Sequence, residues 1–445
     1  MSSTLAIAER NVPRYTSYPT APHFSAKIGP EIYAAWLDAL PAEATLSLYI
    51  HVPFCTDLCY YCGCHTRAVR KREPIDAYAE RVIDEIKLFE RLRGRKVKHL
   101  HWGGGTPSIL GPHWLETISA KLQALFDFSE LKEHAIELDP RKVDAELARA
   151  LHVMGVTRAS LGVQDVSPEV QKLIGREQPF ELVERAAAML REAGIANLNV
   201  DLMYGLPGQT VREVAKSAEL AASLGAQRMA LFGYAHVPWF KTHQRLMKAE
   251  LLPGLSERLE QAQVAAETLQ GLGYQVIGLD HFALPDDELA VAARERRLRR
   301  NFQGYTTDEA DALIGLGASS IGKLPQGFIQ NAPDIGGHAR AVQAGKFPIV
   351  KGLELADDDR LRASIIERLM CDLALDLDAF ADGETGEARF AKELETLQPL
   401  AEVGLITIEG PRITVTDLGR PYIRIAAAAF DAYLPATQKR HSIAV

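Results

Sequence analysis

Cysteine is scarce in this sequence, with five in 445 residues, and aromatic residues make up only 7%. So few cysteines in so long a chain argue against a disulfide scaffold. No apolar run approaches the roughly 20 residues that a membrane-spanning helix needs, so we expect no membrane insertion. Basic residues do not dominate, since 50 Lys and Arg stand against 58 Asp and Glu, for a net charge of −8. That balance argues against a nucleic-acid partner.

The first residues, MSSTLAIAERNVPRY, lack the apolar core of a signal peptide. We therefore expect a cytoplasmic protein in a reducing compartment, where thiols stay free. The length predicts two or three domains. No sustained heptad pattern is present, and we expect a monomer.

Four of the five cysteines are concentrated at Cys55, Cys59, Cys62 and Cys64. Thiolates are soft ligands that suit iron–sulfur clusters, zinc or copper(I). A zinc site usually needs a second cysteine or histidine pair further along the chain. Here Cys371 stands alone in an apolar helical stretch and is expected to be a buried thiol. Three cysteines on one loop favour an iron–sulfur cluster with one open iron, with structural zinc as the alternative.

Two basic runs, 67–72 and 294–300, interrupt the acidic balance. The second, RERRLRR, is typical of a solvated helix face. The first follows the cysteines directly, so anion binding and simple solvation both remain open for it.

Strand-like and helical segments alternate from about residue 46. Predicted strands lie at 45–54, 97–102, 135–140, 158–165, 197–208 and 228–238, with a possible seventh at 274–284. Such alternation predicts parallel βαβ units, and six in series predict an α/β fold built on a partial (β/α)6 barrel. We assign an irregular N-terminal arm to 1–45, the barrel to 46–345, and a small, mostly helical, winged-helix-like domain to 346–445.

Unusual residues stand at the ends of successive predicted strands, namely Cys55, Gly104, Glu137, Asp139 and Gln164, and Asp201 lies within the fifth strand. In parallel barrels the carboxyl ends of the strands carry the chemistry. Each residue alone is weak support, since a glycine there also suits a plain turn. Their common position at one rim predicts a functional site.

Cys-x3-Cys-x2-Cys after a first barrel strand resembles the radical S-adenosylmethionine (SAM) superfamily. The motifs RYTSYPT, LYIHVPFCTDLCYYCGCHT, HWGGGTPS, IELDPR, LGVQD, DLMYGLPGQT, YAHVPW and NFQGYTT, in this order, resemble the oxygen-independent coproporphyrinogen III oxidases within it. That resemblance implies an oxidoreductase of haem biosynthesis. It would convert the ring A and B propionates of coproporphyrinogen III into vinyl groups, with loss of CO2, to give protoporphyrinogen IX.

The resemblance also implies one [4Fe–4S] cluster, held by Cys55, Cys59 and Cys62, and two SAM molecules. The cluster-bound SAM would be lined by Tyr49, Gly104, Glu137 and Ile321. The second SAM would be lined by Tyr61, Gly105, Thr106, Gln164, Arg176, Asp201 and Ala235. An external reductant and an electron acceptor, both unidentified, complete the expected partners.

Two residues of the cysteine loop are not explained by cluster ligation alone. Cys64 is not a cluster ligand in the family, and we hypothesise a catalytic or hydrogen-relay role for it, against a packing role. Tyr61 stands where the family pattern leads us to expect phenylalanine. The alternative functions are a related haem chaperone that binds haem without this catalysis, and another radical SAM reaction on a tetrapyrrole.

Overall fold

The computed structural model describes residues 7–434. In chain order, its strands are β1 (Leu46–Val52), β2 (Phe54–Cys55), β3 (Arg67–Ala68), β4 (Val97–Gly104), β5 (Glu133–Leu138), β6 (Arg158–Gln164), β7 (Asn197–Tyr204), β8 (Arg228–Gly233), β9 (Gln275–Ile277), β10 (His281–Ala283), β11 (Arg299–Asn301), β12 (Gly304–Thr306), β13 (Ala312–Leu316), β14 (Ile321–Leu324), β15 (Gly327–Asn331), β16 (Ile349–Glu354), β17 (Ala374–Asp376), β18 (Ile406–Glu409) and β19 (Arg412–Val415).

Its α-helices are α1 (Pro30–Asp38), α2 (Arg72–Lys87), α3 (Pro112–Leu125), α4 (Ala145–Val153), α5 (Pro168–Leu173), α6 (Phe180–Glu192), α7 (Val211–Ser223), α8 (Leu255–Gly271), α9 (Glu288–Arg294), α10 (Ile335–Gln343), α11 (Asp357–Asp372), α12 (Gly386–Arg389), α13 (Ala391–Glu402) and α14 (Ile423–Ala428). None of the helices within residues 7–434 combines the length and apolarity that crossing a membrane requires.

Twelve strands form one sheet, in the order β16-β15-β14-β13-β1-β4-β5-β6-β7-β8-β10-β9. The six strands from β1 through β8 in this order are parallel and joined by helices. The outermost strands, β16 and β9, are not paired with each other, so the barrel is open. This confirms the predicted α/β partial barrel.

Residue alternation explains how the barrel acquires a core on one face and a cavity on the other. In β1, Leu46, Leu48 and Ile50 are at most 1% exposed and join the large apolar core. The intervening Ser47, Tyr49 and His51 belong to the opposite face, because strand side chains alternate with a period of two. Burying one such apolar side chain contributes about 1.5–3 kcal/mol, so the apolar set determines which face meets the helices.

The predicted seventh strand is a different structure. Residues 274–284 form the two short strands β9 and β10, which pair antiparallel with each other and with β8. The seventh parallel strand is β13, which pairs with β1. Its five residues, ALIGL, lack the strand–helix spacing of the others, which is why the sequence pattern missed it.

The run RERRLRR is also not a helix face. The helix α9 ends at Arg294, and the segment after it turns into β11, so Arg299 and Arg300 belong to a strand. Arg300 then lies over the ring of Tyr305 at 4.4 Å from its centroid.

The C-terminal region contains the predicted helix, hairpin and helix. The β18–β19 hairpin follows α13, and β17 adds a third strand beside β19. The region has its own apolar cluster, which Val12, Tyr15 and Tyr18 of the N-terminal arm join. Within 1–45 the chain also forms the helix α1. The domain boundaries at 45 and 345 stay a prediction.

Candidate active site

A cavity of about 630 Å³ lies inside the partial barrel and opens at the carboxyl ends of its strands. Its walls include thirteen of the residues singled out from the sequence. These are Cys55, Cys59, Tyr61, Cys62, Cys64, Gly104, Gly105, Thr106, Glu137, Gln164, Arg176, Asp201 and Ala235. The topology brings them together because the carboxyl ends of adjacent parallel strands meet at one rim.

The cysteine loop begins at the end of β2 and is held by hydrogen bonds to its backbone. Lys241 donates to the carbonyl of Cys64 at 2.8 Å, and Gln244 Nε2 donates to that of Tyr61 at 2.9 Å. The ring Nε2 of His243 lies 2.7 Å from the Cys62 carbonyl oxygen. The turn after β8 therefore fixes the path of the loop across the rim.

The thiols of this loop differ in their surroundings. Burial raises the pKa of Cys55, whose Sγ lies 3.3 Å from the Thr66 hydroxyl oxygen. A hydrogen bond from the Cys64 thiol lowers the pKa of Cys62 to about 7, and the same bond raises that of Cys64. Cys62 is thus the partner that carries negative charge first, with Cys64 as its donor.

The glycines at the end of β4 bring backbone close to other groups. A Cβ at Gly104, which has φ +113°, would lie 2.7 Å from the ring of His51. The N–H of Gly104 donates to the Glu137 carboxylate at 3.2 Å. The other oxygen of that carboxylate lies 3.3 Å from Nε2 of His101. The backbone and the histidine therefore position Glu137 at the rim.

Asp201 is a carboxylate on the inner face of β7. It accepts hydrogen bonds from Ser160 Oγ and Asn199 Nδ2, both at 2.9 Å. Burial, with a contribution from the charge of Glu137, raises its pKa to about 6. Its carboxylate oxygens can accept further hydrogen bonds from a hydroxyl or an ammonium.

Arg176 connects the middle of the rim to the cysteine loop. It is 7% exposed, donates to the carbonyl of Gly162 at 2.7 Å, and places Nη1 3.5 Å from Sγ of Cys59. Its Nη2 lies 3.5 Å from the Asp139 carboxylate. Its Nε is buried without a partner in the described residues, so the guanidinium has capacity for a further acceptor.

Two residues singled out from the sequence lie outside the cavity lining. Tyr49 stacks on His101 with ring centroids 5.9 Å apart, and its hydroxyl lies 3.0 Å from Nδ1 of His51. Ile321 begins β14 and packs on the small apolar cluster that contains Phe24 and Phe328. Both are neighbours of the site in this structure and not part of its wall.

The first basic run is mostly satisfied by the protein itself. Arg70 pairs with Asp57, and Arg72 pairs with Asp76, both at 2.7 Å. Arg67 lies over the ring of Phe54. Of the two readings left open, the contacts favour simple surface pairing.

The sequence analysis missed the polar floor of the cavity. Arg158 and Arg228 each contact both Glu133 and Asp287, at distances from 2.6 to 3.2 Å. The two arginines hold the pKa of Glu133 at about 2 despite its burial. The two positive and two negative charges of this group balance, so it presents little net electric field to the cavity. Its side chains fill this end of the barrel. Period-two alternation from Ser160 or Ala230 would have placed both arginines on the inner face.

The donor set fits an iron–sulfur cluster. Three thiols on one loop border the cavity, and one of them already has a lowered pKa, as thiolate ligation needs. Within residues 7–434, no three His, Cys, Asp or Glu side chains converge as the ligands of a single metal ion. The cavity lies next to the thiols and has room for further groups.

Comparison with known proteins gives consistent similarities. The model of the radical SAM superfamily matches residues 49–221, and that of the HemN C-terminal domain matches 355–422. The chain is 47% identical to the oxygen-independent coproporphyrinogen III oxidase of Bradyrhizobium diazoefficiens, over 100% of both chains. It is 40% identical to that of Salmonella typhimurium, over 95% of this chain and 93% of the relative.

A solved structure is similar throughout as well. It is the coproporphyrinogen III oxidase (HemN) from Escherichia coli, described as a radical SAM enzyme. Its TM-score is 0.90 at 38% identity, over 96% of this chain and 100% of that one.

Proposed function

Since this chain belongs to the family of oxygen-independent coproporphyrinogen III oxidases, radical SAM enzymes of haem biosynthesis, we propose that its barrel cavity is where coproporphyrinogen III is oxidatively decarboxylated. One observation carries this assignment to the cavity. Three cysteines of one loop and polar residues from five successive strands border the same 630 Å³ space. A reaction that combines a cluster, SAM and a large substrate requires such a shared space.

As a radical SAM protein, the chain uses a [4Fe–4S] cluster and SAM. Cys55, Cys59 and Cys62 would hold the cluster. Bound there, cluster and SAM supply a carbon radical able to remove a hydrogen atom from an unactivated carbon, which no side chain can do. Each of two propionates then becomes a vinyl group by losing that hydrogen atom, CO2 and one electron, the electron passing to an external acceptor.

The residues of the chain bind and orient. Gly104 and Glu137, with Tyr49 and Ile321 behind them, would accommodate the SAM that binds the cluster. Glycine allows its backbone to approach a ligand closely, and the Glu137 carboxylate suits an ammonium or a hydroxyl.

A second SAM would lie further along the rim. The side-chain support for it is the fork of Arg176, with its unpartnered Nε, and the buried carboxylate of Asp201. Arginine matches a carboxylate such as that of SAM with two parallel hydrogen bonds. The remaining neighbours proposed for this SAM are Tyr61, Gly105, Thr106, Gln164 and Ala235.

We further expect a monomer in the reducing cytoplasm, supplied with electrons by an external reductant. The basis is chemical, because five free cysteines and an oxygen-sensitive cluster both need reducing conditions.

An anaerobic turnover assay tests the function. Protein reconstituted with iron and sulfide is incubated with SAM, a reductant, an electron acceptor and coproporphyrinogen III. Vinyl product, CO2 and 5′-deoxyadenosine are the expected results, and Cys55→Ser is the inactive control. Stable haem binding without decarboxylation would favour a chaperone, and a methylated tetrapyrrole would indicate a different radical SAM reaction. Either result contradicts the proposal.

A further inference from the structure

Four arginines from distant parts of the chain meet beside the cavity. Arg14 lies in the N-terminal arm, Arg258 in α8, Arg300 in β11 and Arg424 in α14. Arg14 Nη2 donates to the carbonyl of Gly233 at 3.4 Å, and Arg300 Nη2 donates to that of Arg14 at 3.3 Å. The four side chains therefore come together only in the folded protein.

The other two arginines complete the group. The Arg258 guanidinium lies over Tyr204 at 5.9 Å from the ring centroid, and a Cβ at Gly233 would lie 3.4 Å from its Nη2. Arg424 is 7% exposed and lies within electrostatic range of Arg14 and Arg300. We name these four residues the arginine cluster.

Positive charge exceeds negative charge in the arginine cluster. Within residues 7–434, Arg14, Arg258 and Arg300 have no carboxylate within 4.0 Å. The acid that faces the cluster is Asp280, whose Oδ1 lies 2.8 Å from Nδ1 of His281. Burial and the neighbouring arginines lower the pKa of Arg424 to about 10 and also lower that of Arg258.

Several nitrogens of the cluster are buried without a partner. They are Nε of Arg258 and both Nε and Nη1 of Arg300, in the part of the chain that the structure describes. A buried charged donor left without an acceptor is costly, and like charges in a shared low-dielectric space add to that cost. The arrangement is stabilised when an anion enters it.

The arginine cluster borders the cavity through Arg14, and the other three arginines lie behind the lining. Arg14, Gly233 and Tyr305, the ring on which Arg300 lies, are all part of the cavity lining. The cysteine loop follows β1, whereas Gly233 ends β8, and β4 to β7 lie between them in the sheet. The residues after Gly233 nevertheless reach the cysteine loop, since Lys241, His243 and Gln244 contact its carbonyl oxygens, so an anion at the arginine cluster would share the cavity with the thiols.

We propose that the arginine cluster binds the carboxylates of the propionates that coproporphyrinogen III retains, and so holds the macrocycle in the cavity that the cysteine loop borders. This inference rests on the proposed function, which supplies the substrate. Coproporphyrinogen III carries four propionates, of which two are lost, so at least two carboxylates need a binding site away from the reacting carbon. Guanidinium matches carboxylate in charge and in its two-pronged geometry.

A binding experiment on enzyme loaded with its [4Fe–4S] cluster tests this inference separately from turnover. The probes are coproporphyrin III, the stable oxidised form that keeps all four carboxylates, and its tetramethyl ester, which has none. Binding is followed by porphyrin fluorescence under anaerobic conditions for the wild type, Arg258→Gln and Arg300→Gln. Arg362→Gln is the matched control, because Arg362 is also half-buried but pairs with Asp358 and Glu393 at 2.7 and 3.1 Å.

Arg258→Gln and Arg300→Gln are each expected to weaken coproporphyrin III binding about tenfold, because each removes one charged hydrogen-bonding group. Binding of the ester should not change, and KM for coproporphyrinogen III should rise more than kcat falls. The unfolding midpoint of Arg258→Gln should equal or exceed that of the wild type, because one of several like charges is removed.

The inference would be overturned if affinity for the acid and for the ester fell equally, or if neither variant lost affinity for the acid. If neither variant loses affinity but the wild type still makes the vinyl product, the proposed function stays intact. A wild type that binds coproporphyrin III through these arginines but makes no vinyl product contradicts the proposed function alone.

Discussion

Gly105 passes so close to Phe54 that a Cβ on the glycine would lie 2.4 Å from the phenylalanine carbonyl oxygen. The next N–H, that of Thr106, donates to the same oxygen at 2.7 Å. The end of β4 is thereby joined to the residue just before Cys55. The position of the first cysteine depends on the absence of a side chain about 50 residues later.

Gly105→Ala is expected to displace the cysteine loop and lower the free energy of unfolding by about 1–3 kcal/mol, since backbone must move to admit the methyl group. Iron bound per chain after reconstitution should fall with it. Gly63→Ala is the matched control on the same loop, because a Cβ there has nothing within 4 Å. Denaturant unfolding and iron analysis measure both effects, and an alanine at 105 that behaves like the one at 63 would contradict the geometry.

Because three cysteines are proposed as cluster ligands and Cys64 is not, replacing them by serine should affect iron binding differently. Replacing Cys55, Cys59 or Cys62 by serine should each abolish iron binding and the visible absorption of the cluster. Cys64→Ser should retain iron but lose vinyl-product formation, if its thiol relays hydrogen.

Cys371→Ser is the control for those variants, since burial raises the pKa of this helix thiol to about 12 and keeps it protonated. It should retain both iron and activity. Full activity together with an intact cluster in Cys64→Ser would leave that thiol with a packing role only.

Arg176→Lys tests the second SAM site. Lysine cannot reproduce the fork that reaches Gly162, Cys59 and Asp139, so one SAM should be lost while the cluster remains. Equilibrium dialysis with labelled SAM should give about two bound molecules for the wild type and about one for the variant. Arg185→Lys, on the exposed face of α6, is the control. A variant that still binds two molecules would remove Arg176 from this site, and a wild type that binds one would contradict the two-SAM proposal.

Asp201→Asn should change the pH dependence of stability. The pKa of Asp201 is about 6 in the folded chain against an ordinary 3.8, so the folded state binds its proton more tightly. The contribution of this group to stability is therefore full below pH 3.8, falls as the pH rises towards 6, and is absent above that.

The asparagine variant should gain about 3 kcal/mol of unfolding free energy at pH 7.5 and about 1 kcal/mol at pH 4.5. Urea unfolding of the variant and the wild type at both pH values measures this difference. A gain independent of pH would show that the ionised carboxylate is not the cause.

Much of the site could be predicted from short sequence patterns, because such patterns reflect local geometry. Cys55 to Cys64 are neighbours in sequence, and Gly104, Glu137 and Asp201 each end or occupy a strand whose period is visible in the letters. Parallel βαβ order then places strand ends at one rim without further information. For the same reason, period-two alternation predicts that Arg158 and Arg228 face the inside of the barrel. It does not predict that they pair with Glu133 and Asp287.

The sequence by itself therefore determined the barrel, the cysteine loop and the residues at the strand ends. Only the tertiary structure decided that Ile321 packs outside the cavity wall, that β13 and not 274–284 supplies the seventh parallel strand, and that Arg14, Arg258, Arg300 and Arg424 share one space. The physical reason is that these contacts join elements up to 410 residues apart in the sequence. Their geometry depends on how the arm, the barrel and the C-terminal helices pack, and no spacing along the chain encodes it.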